Sequence, residues 1–238
     1  LDPKTLMNDP KTLENFVYDT VKAHPDDKHV RLMVAGHGGA ELGLMPDGES
    51  NDASAHGAMS VDDFASAIHE GLARFNKETG KSRKIDNLIV GSCLMANTSF
   101  IHALAKKGDI EVLSASPETL MGNDPNIIFS YLADPKTSDK SGPEFASDLV
   151  ELLEGAAAFP GGRKNLQFAD TFGAYDLSPT KGQKMADSLQ TLFKAVVAEP
   201  QFAQYVKEDI MACPTYGINR FVNLQFVNNQ RHIIQVAQ

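Results

Sequence analysis

IDNLIVGSC, residues 85–93, is a short apolar run that stops at Gly91, Ser92 and Cys93. VRLMVAGHGG, residues 30–39, has the same plan and stops at Gly36, His37, Gly38 and Gly39. Runs of this length, rich in branched side chains and closed by glycine, read as strands buried on both faces of a parallel sheet. Residues 110–115, IEVLSA, form a third such run. Outward from these strands the pattern is helical. Asp9 and Pro10 suit a helix start, Leu13, Phe16, Val17 and Val21 recur at helical spacing, and Pro25-Asp26-Asp27 ends that element. Ser60 with Asp63 is a variant of the capping box, followed by an apolar stripe of Phe64, Ile68, Leu72 and Phe75. Helices are expected over 97–107 and 144–154, with a long one from Ser178-Pro179 to Ala198. A fourth strand is expected over 171–175, and the weakly alternating tail, 220–236, reads as a further strand pair. The alternation of strand and helix predicts an α/β domain, with helices on both faces of a mainly parallel sheet. No internal repeat or linker divides residues 1–238, so one domain is expected.

Composition narrows the function. Hydrophobic residues make up 42% of the 238, enough for a full core. The 22 basic residues are outnumbered by 31 acidic ones, for a net charge of −9. That balance argues against a nucleic-acid surface and against an electrostatic anchor on anionic lipid. No apolar run approaches the roughly 18–20 residues that span a bilayer. Two cysteines, Cys93 and Cys213, make no disulfide framework. The first residue is Leu1, which suggests a processed chain, and no targeting segment is legible.

In an open α/β sheet, ligands bind beyond the carboxyl ends of the strands. There the sequence places His37 after the first strand, Cys93 after the second and Ser116 after the third. If the first two strands are neighbours, imidazole and thiol share one edge. Thiol catalysis needs that pairing: the thiolate is the nucleophile, and imidazole takes and returns its proton. The glycines around His37 admit a substrate backbone and leave N–H groups for a developing oxyanion. A cysteine at a strand end can equally be a packed core residue, and a histidine beside glycines is suggestive alone. The pair at matching strand ends carries the chemical reading.

The other histidines, His24, His29, His56, His69, His102 and His232, lack comparable company, and Cys213, followed by Pro214, reads as structural. No Cys/His spacing suits zinc, and Gly36-His37-Gly38-Gly39 is no phosphate loop because no GK[ST] follows. No cofactor is expected. Asp47, Glu49 and Asp52 carry the oxygen ligands that calcium takes, although a solvated acidic loop explains them too.

The chain resembles the clostripain-like cysteine peptidases of the caspase–gingipain–legumain clan. NDPKTLENFVYDTVKAHPDDKHVRLMVAGHGG, residues 8–39, is similar to that family's helix, turn and strand ending in His-Gly. IDNLIVGSCLMAN, residues 85–97, resembles its strand ending in Asp-Ala-Cys-Leu-Met. LSASPET, residues 113–119, resembles its Ala-Ser-Glu-Glu segment, and FGAYDLS, residues 172–178, its Ser-x-x-Asp-Leu-Ser stretch. The resemblance implies a caspase-like three-layer sandwich. It implies a dyad of His37 and Cys93, an oxyanion hole from the N–H groups of Gly38 and Cys93, and a polypeptide substrate cut after Arg or Lys. Gly91, Ser116 and Asp124 are the candidate substrate-binding residues, and the resemblance implies a secreted or cell-envelope location.

Two departures stand out. The family has an acidic residue where this chain has Gly91, so a basic substrate side chain loses one carboxylate partner, worth about 1.5–3 kcal/mol. Asp124 is the nearest acidic substitute. The family also has one or two strands before the first helix, so a second chain or pro-segment is expected to supply them. A catalytically silent domain that binds a peptide or protein partner is the alternative reading; a thiol hydrolase of small molecules is a third. Residues 38–59 and 77–84, the latter KETGKSRK without apolar anchors, are two candidate loops for self-processing, although a solvated, flexible connection with no regulatory role explains them too.

Overall fold

A computed structural model describes residues 5–46, 57–120, 125–157, 172–199, 201–202 and 205. Its strands are β1 (Arg31–Ala35), β2 (Ile85–Gly91), β3 (Ile110–Ala115) and β4 (Gly173–Asp176). The helices are α1 (Pro10–Ala23), α2 (Val61–Thr79), α3 (Thr98–Lys107), α4 (Pro125–Ala133), α5 (Gly142–Ala157) and α6 (Pro179–Ala198). The sheet order is β1-β2-β3-β4, with the first three strands parallel and β4 antiparallel at one edge.

The strands are apolar on both faces because both faces are covered. Alternate side chains point to opposite sides. Leu32, Val34, Leu88, Val90 and Leu113 join α1, α2 and α3 in the larger core, where Phe64, Phe75 and Phe100 are fully buried. Ile89 and the partly buried Met33 face the other way, onto Phe145 and Leu149 of α5 and Ile128 of α4. The result is a three-layer α/β sandwich. Gly71 sets the α1–α2 approach: a Cβ there would stand 2.7 Å from the Glu14 carbonyl oxygen. On β1, Arg31 is kept off solvent by the segment before α5. Its Nη2 donates to the carbonyls of Thr137 and Lys140, at 3.1 and 2.7 Å, and its guanidinium lies 4.4 Å from the Phe145 ring centre. Burial holds the Arg31 pKa below its ordinary value.

Caps set the helix starts. Asp9 accepts from the Lys11 N–H, Ser60 from the Asp63 N–H, and Asn97 from the Phe100 N–H. Gly80 and Gly108 close α2 and α3 in the left-handed conformation. Several elements differ from the sequence expectation. α4 had no counterpart; its segment, PNIIFSYLA, is nine residues long and mostly apolar, with Asn126 and Ser130 too few to mark a clear stripe. α5 starts at Gly142, with Ser141 and Glu144 as a capping box: the Glu144 carboxylate accepts from the Ser141 N–H at 3.0 Å. α5 also runs to Ala157, three residues past the expected end at 154.

Residues 77–84 are not a loose connection. The first three are the end of α2, the Asn76 side chain bonds both the N–H and the carbonyl of Arg83, and Lys84 Nζ reaches the Gly108 carbonyl at 2.9 Å. Among the described residues of 38–59, a short 3-10 turn (Ala40–Leu42) and bridges of Leu44 with Gly38 and Met59 give local structure. The expected strand pair over 220–236 lies outside the described residues. No helix of the described residues is long and apolar enough to cross a membrane.

Candidate active site

The pairing of β1 with β2 puts Ala35 opposite Gly91. His37 and Cys93 each lie two residues beyond that pair, so they leave adjacent parallel strands at the same end. The Gly36 N–H reaches the Gly91 carbonyl at 3.4 Å and carries the pairing one step further. Beyond it the two turns touch, backbone to backbone. A Cβ on Gly38 would stand 2.4 Å from the Cys93 carbonyl oxygen and 3.0 Å from Ser92 Cβ, so only glycine fits there.

The N–H groups of Gly38 and Cys93 have no acceptor among the described residues. The bridge partner of Gly38 is Leu44, and the bonds flanking that bridge are made by neighbours: Met45 N–H to the His37 carbonyl, and Gly39 N–H to the Gly43 carbonyl, both 2.9 Å. Gly38's own N–H therefore stays unused in this turn. Two N–H groups on touching turns, without an acceptor among the described residues, are what a developing oxyanion requires.

The His37 side chain is exposed and makes no hydrogen bond among the described residues. Cys93 is half-buried and is a free thiol. Its sulfur meets Leu120 instead of the imidazole: the Leu120 N–H donates to Sγ at 3.2 Å, and the thiol donates to the Leu120 carbonyl at 3.5 Å. The residue after the cysteine, Leu94, has φ of +62°, a left-handed backbone that leucine rarely adopts. Such strain collects at functional turns and persists only when the surroundings enforce it. Here they do: the Leu94 N–H is taken by the Glu118 carbonyl at 3.1 Å, and the Leu94 carbonyl by Asn97 Nδ2 at 2.8 Å.

The remaining predicted site residues separate. Gly91 ends β2 beside Ala35, and a Cβ there would meet nothing closer than 3.6 Å, so the position has room for a side chain. Ser116 is fully buried in this structure. Its hydroxyl accepts the Glu118 N–H at 3.0 Å and shapes the turn after β3. Asp124, Asp47, Glu49, Asp52 and Cys213 lie outside the described residues. Among the described residues no group of three His, Cys, Asp or Glu could hold a metal ion. Two features escaped the sequence reading. Leu120, a residue without reactive chemistry, touches the thiol through its main chain, which no side-chain motif announces. Ser92 is fully buried with no partner for its hydroxyl among the described residues, a state its place beside Cys93 does not reveal.

No family model and no curated protein matches the chain. Three solved structures are similar to parts of it. A C11 protease from Parabacteroides distasonis, described as an inactive zymogen, is 17% identical over 52% of this chain and 30% of that one, with a TM-score of 0.36. The secreted C11 cysteine protease "iotapain" from Bacteroides thetaiotaomicron is 15% identical over 66% of this chain and 42% of that one, at 0.42. A secreted C11 cysteine protease from the same organism, in complex with an irreversible peptide inhibitor, is 11% identical over 87% of this chain and 50% of that one, at 0.44. The chain thus spans half or less of the length of each.

Proposed function

We propose that the chain is a cysteine endopeptidase of the clostripain-like type, with a caspase-like fold and a dyad of His37 and Cys93. The observation that carries this reading is the register of β1 and β2, which delivers an imidazole and a thiol to the same end of adjacent strands. In the proposed reaction His37 takes the thiol proton and the sulfur attacks the scissile carbonyl carbon. The oxyanion then accepts the N–H groups of Gly38 and Cys93. Collapse of the tetrahedral species breaks the C–N bond, and His37 returns the proton to the leaving amine. Water, activated by His37, then hydrolyses the thioester and restores the thiol.

The substrate is an extended polypeptide. Cleavage after Arg or Lys is part of the proposal, with Asp124 as the carboxylate that Gly91 does not provide. A second chain or pro-segment adds a strand to β1, which has no strand partner on its outer side among the described residues. A groove of about 830 Å³ beside it is lined by Leu13 and Phe16 of α1, by Leu32 and Val34, and by Met7 and Met45. An extended segment there would continue the sheet and cover that apolar lining. Secretion or a cell-envelope location belongs to the same reading, on the sequence resemblance.

The alternative, a catalytically silent domain that binds a peptide or protein partner, is favoured by Gly91 and by a Cys93 sulfur bonded to Leu120 rather than to His37. Turnover of peptides with Arg, Lys or a neutral residue before the scissile bond separates the two. Cys93→Ala is expected to lose all cleavage while keeping its circular dichroism, and Cys213→Ala to keep activity. Cleavage that survives Cys93→Ala, or none by the wild type, would sink the peptidase reading.

A further inference from the structure

The Cys93 sulfur has both of its hydrogen-bonding capacities taken up by one residue. Leu120 supplies the donor at 3.2 Å and the acceptor at 3.5 Å, both from its main chain. The segment that carries Leu120 is fastened to the turn that carries Cys93. The Glu118 carbonyl holds the Leu94 N–H at 3.1 Å, and the Ser116 carbonyl holds the Ala96 N–H at 2.9 Å. The buried Ser116 hydroxyl sets the bend by accepting the Glu118 N–H. The Leu120 side chain packs on the apolar cluster of Ile89, Phe145 and Leu149.

These contacts compete with the reaction. A nucleophile attacks from about 3–3.5 Å, so a substrate carbonyl needs the space beside Sγ. The Leu120 main chain occupies one side of that space. The sulfur also has to reach the imidazole, to which it is not bonded here.

We propose that residues 116–120 form a clasp on Cys93 that gates the site. Closed, the clasp ties the sulfur to the Leu120 main chain and holds Leu94 in its left-handed backbone. Open, it withdraws Leu120, lets the sulfur turn toward His37 and frees the space beside it for an extended chain. The clasp rests on the peptidase reading for its meaning, as a regulator of that same site.

The test is the rate at which iodoacetamide alkylates Cys93 in the full chain, with adducts mapped by mass spectrometry so that Cys213 is counted separately. Leu120→Gly removes the apolar anchor of the clasp, and Ser116→Ala removes the hydroxyl that sets its bend. Each is expected to speed alkylation of Cys93 about fivefold, the ratio that one net hydrogen bond corresponds to, with no change at Cys213. An unchanged or slower rate at Cys93 in variants with wild-type circular dichroism overturns the clasp. If both variants unfold, amide exchange of the wild type decides: alkylating Cys93 is expected to speed exchange at Leu94, Ala96 and Leu120 at least fivefold, roughly. No change there overturns the proposal as well. Alkylation needs no peptidase activity, so the two readings fail separately. Faster alkylation without peptide cleavage by any variant keeps the clasp and sinks the peptidase. Unchanged alkylation beside cleavage that is lost in Cys93→Ala does the reverse.

Discussion

At the amino end of the sheet, Asp86 accepts the His29 ring at 2.9 Å and the Val30 N–H at 2.7 Å, and Asp109 accepts the His69 ring at 2.7 Å. Lys84 bonds the Gly108 carbonyl, Lys81 bonds Asp26, and the Ile85 N–H meets the Asp109 carbonyl at 2.8 Å. At the carboxyl end the turns after β1 and β2 hold two N–H groups with no acceptor among the described residues and an exposed, unbonded His37. All three described non-glycine residues with positive φ, Ala40, Met45 and Leu94, lie in those turns. One end is tied by side-chain bonds that fix where the strands begin, although His29 Nε2, Arg31 Nε and Arg83 Nε and Nη2 are buried there with no partner among the described residues. The other holds main-chain donors without an acceptor among the described residues, and left-handed residues where the strands stop. The contrast marks where chemistry can sit in an α/β sandwich: side-chain bonds pin one end of the strands, while main-chain donors and left-handed residues collect at the other.

Substitutions at the two ends should therefore move different quantities. The largest effect is expected from Gly38→Ala. Its Cβ would collide with the Cys93 carbonyl, and pushing the two turns apart misplaces the reacting groups. A displacement of about 1 Å costs roughly a hundredfold in kcat/KM. Peptide turnover checks it, and wild-type turnover would mean that the turns need not touch. Asp86→Ala, at the other end, strands the His29 ring and the Val30 N–H. It should cost about 1.5–3 kcal/mol of stability while kcat/KM of the folded protein stays the same. Urea unfolding beside the activity assay measures both.

Ser92→Ala sharpens the contrast from within the active end. Its hydroxyl is buried without a partner among the described residues, and such a group costs about 1–3 kcal/mol. Its removal is expected to raise Tm by about 2–4 °C, the shift that follows about 1 kcal/mol in a chain of this size. A fall in Tm would show that the hydroxyl has a partner. The smallest effect belongs to Asp176, at the end of β4. Lys181 and then Ser178 bond its carboxylate and lower its pKa from 3.8 to about 2. A folded-state pKa below the unfolded one adds stability above the unfolded value, and that stability is lost as pH falls through the folded one. Asp176→Asn should thus be less stable than wild type at neutral pH, and the gap should close near pH 2. A gap that persists in acid would mean the Asp176 bonds do not depend on its charge.

The sequence showed most of this frame because the strands are short apolar runs closed by glycine and the long helices carry caps and stripes. Ser60 with Asp63, and Asn97 before α3, are local signals, and they marked their helices within a residue or two. α4 was hidden because nine mostly apolar residues are too short a run to show a clear stripe. The antiparallel direction of β4 was hidden because direction is set by packing against β3, not by the strand's own residues. In the candidate site, His37 and Cys93 were legible from their matching positions past two strands. The resemblance pointed to Gly38 and Cys93 as N–H donors, and the structure adds the touching turns. The burial of Ser116 and the hold of Leu120 on the sulfur are contacts between segments well apart in sequence, which no local pattern encodes.

The central claim is that Cys93 is a nucleophile served by His37. The direct measurement is labelling of the protein with an irreversible thiol-directed peptide inhibitor bearing Arg or Lys, followed by mass spectrometry of its peptides. The account predicts a single adduct on Cys93, formed about a hundredfold more slowly or worse in His37→Ala. An adduct confined to Cys213, or labelling of Cys93 at the same rate without the imidazole, would contradict it.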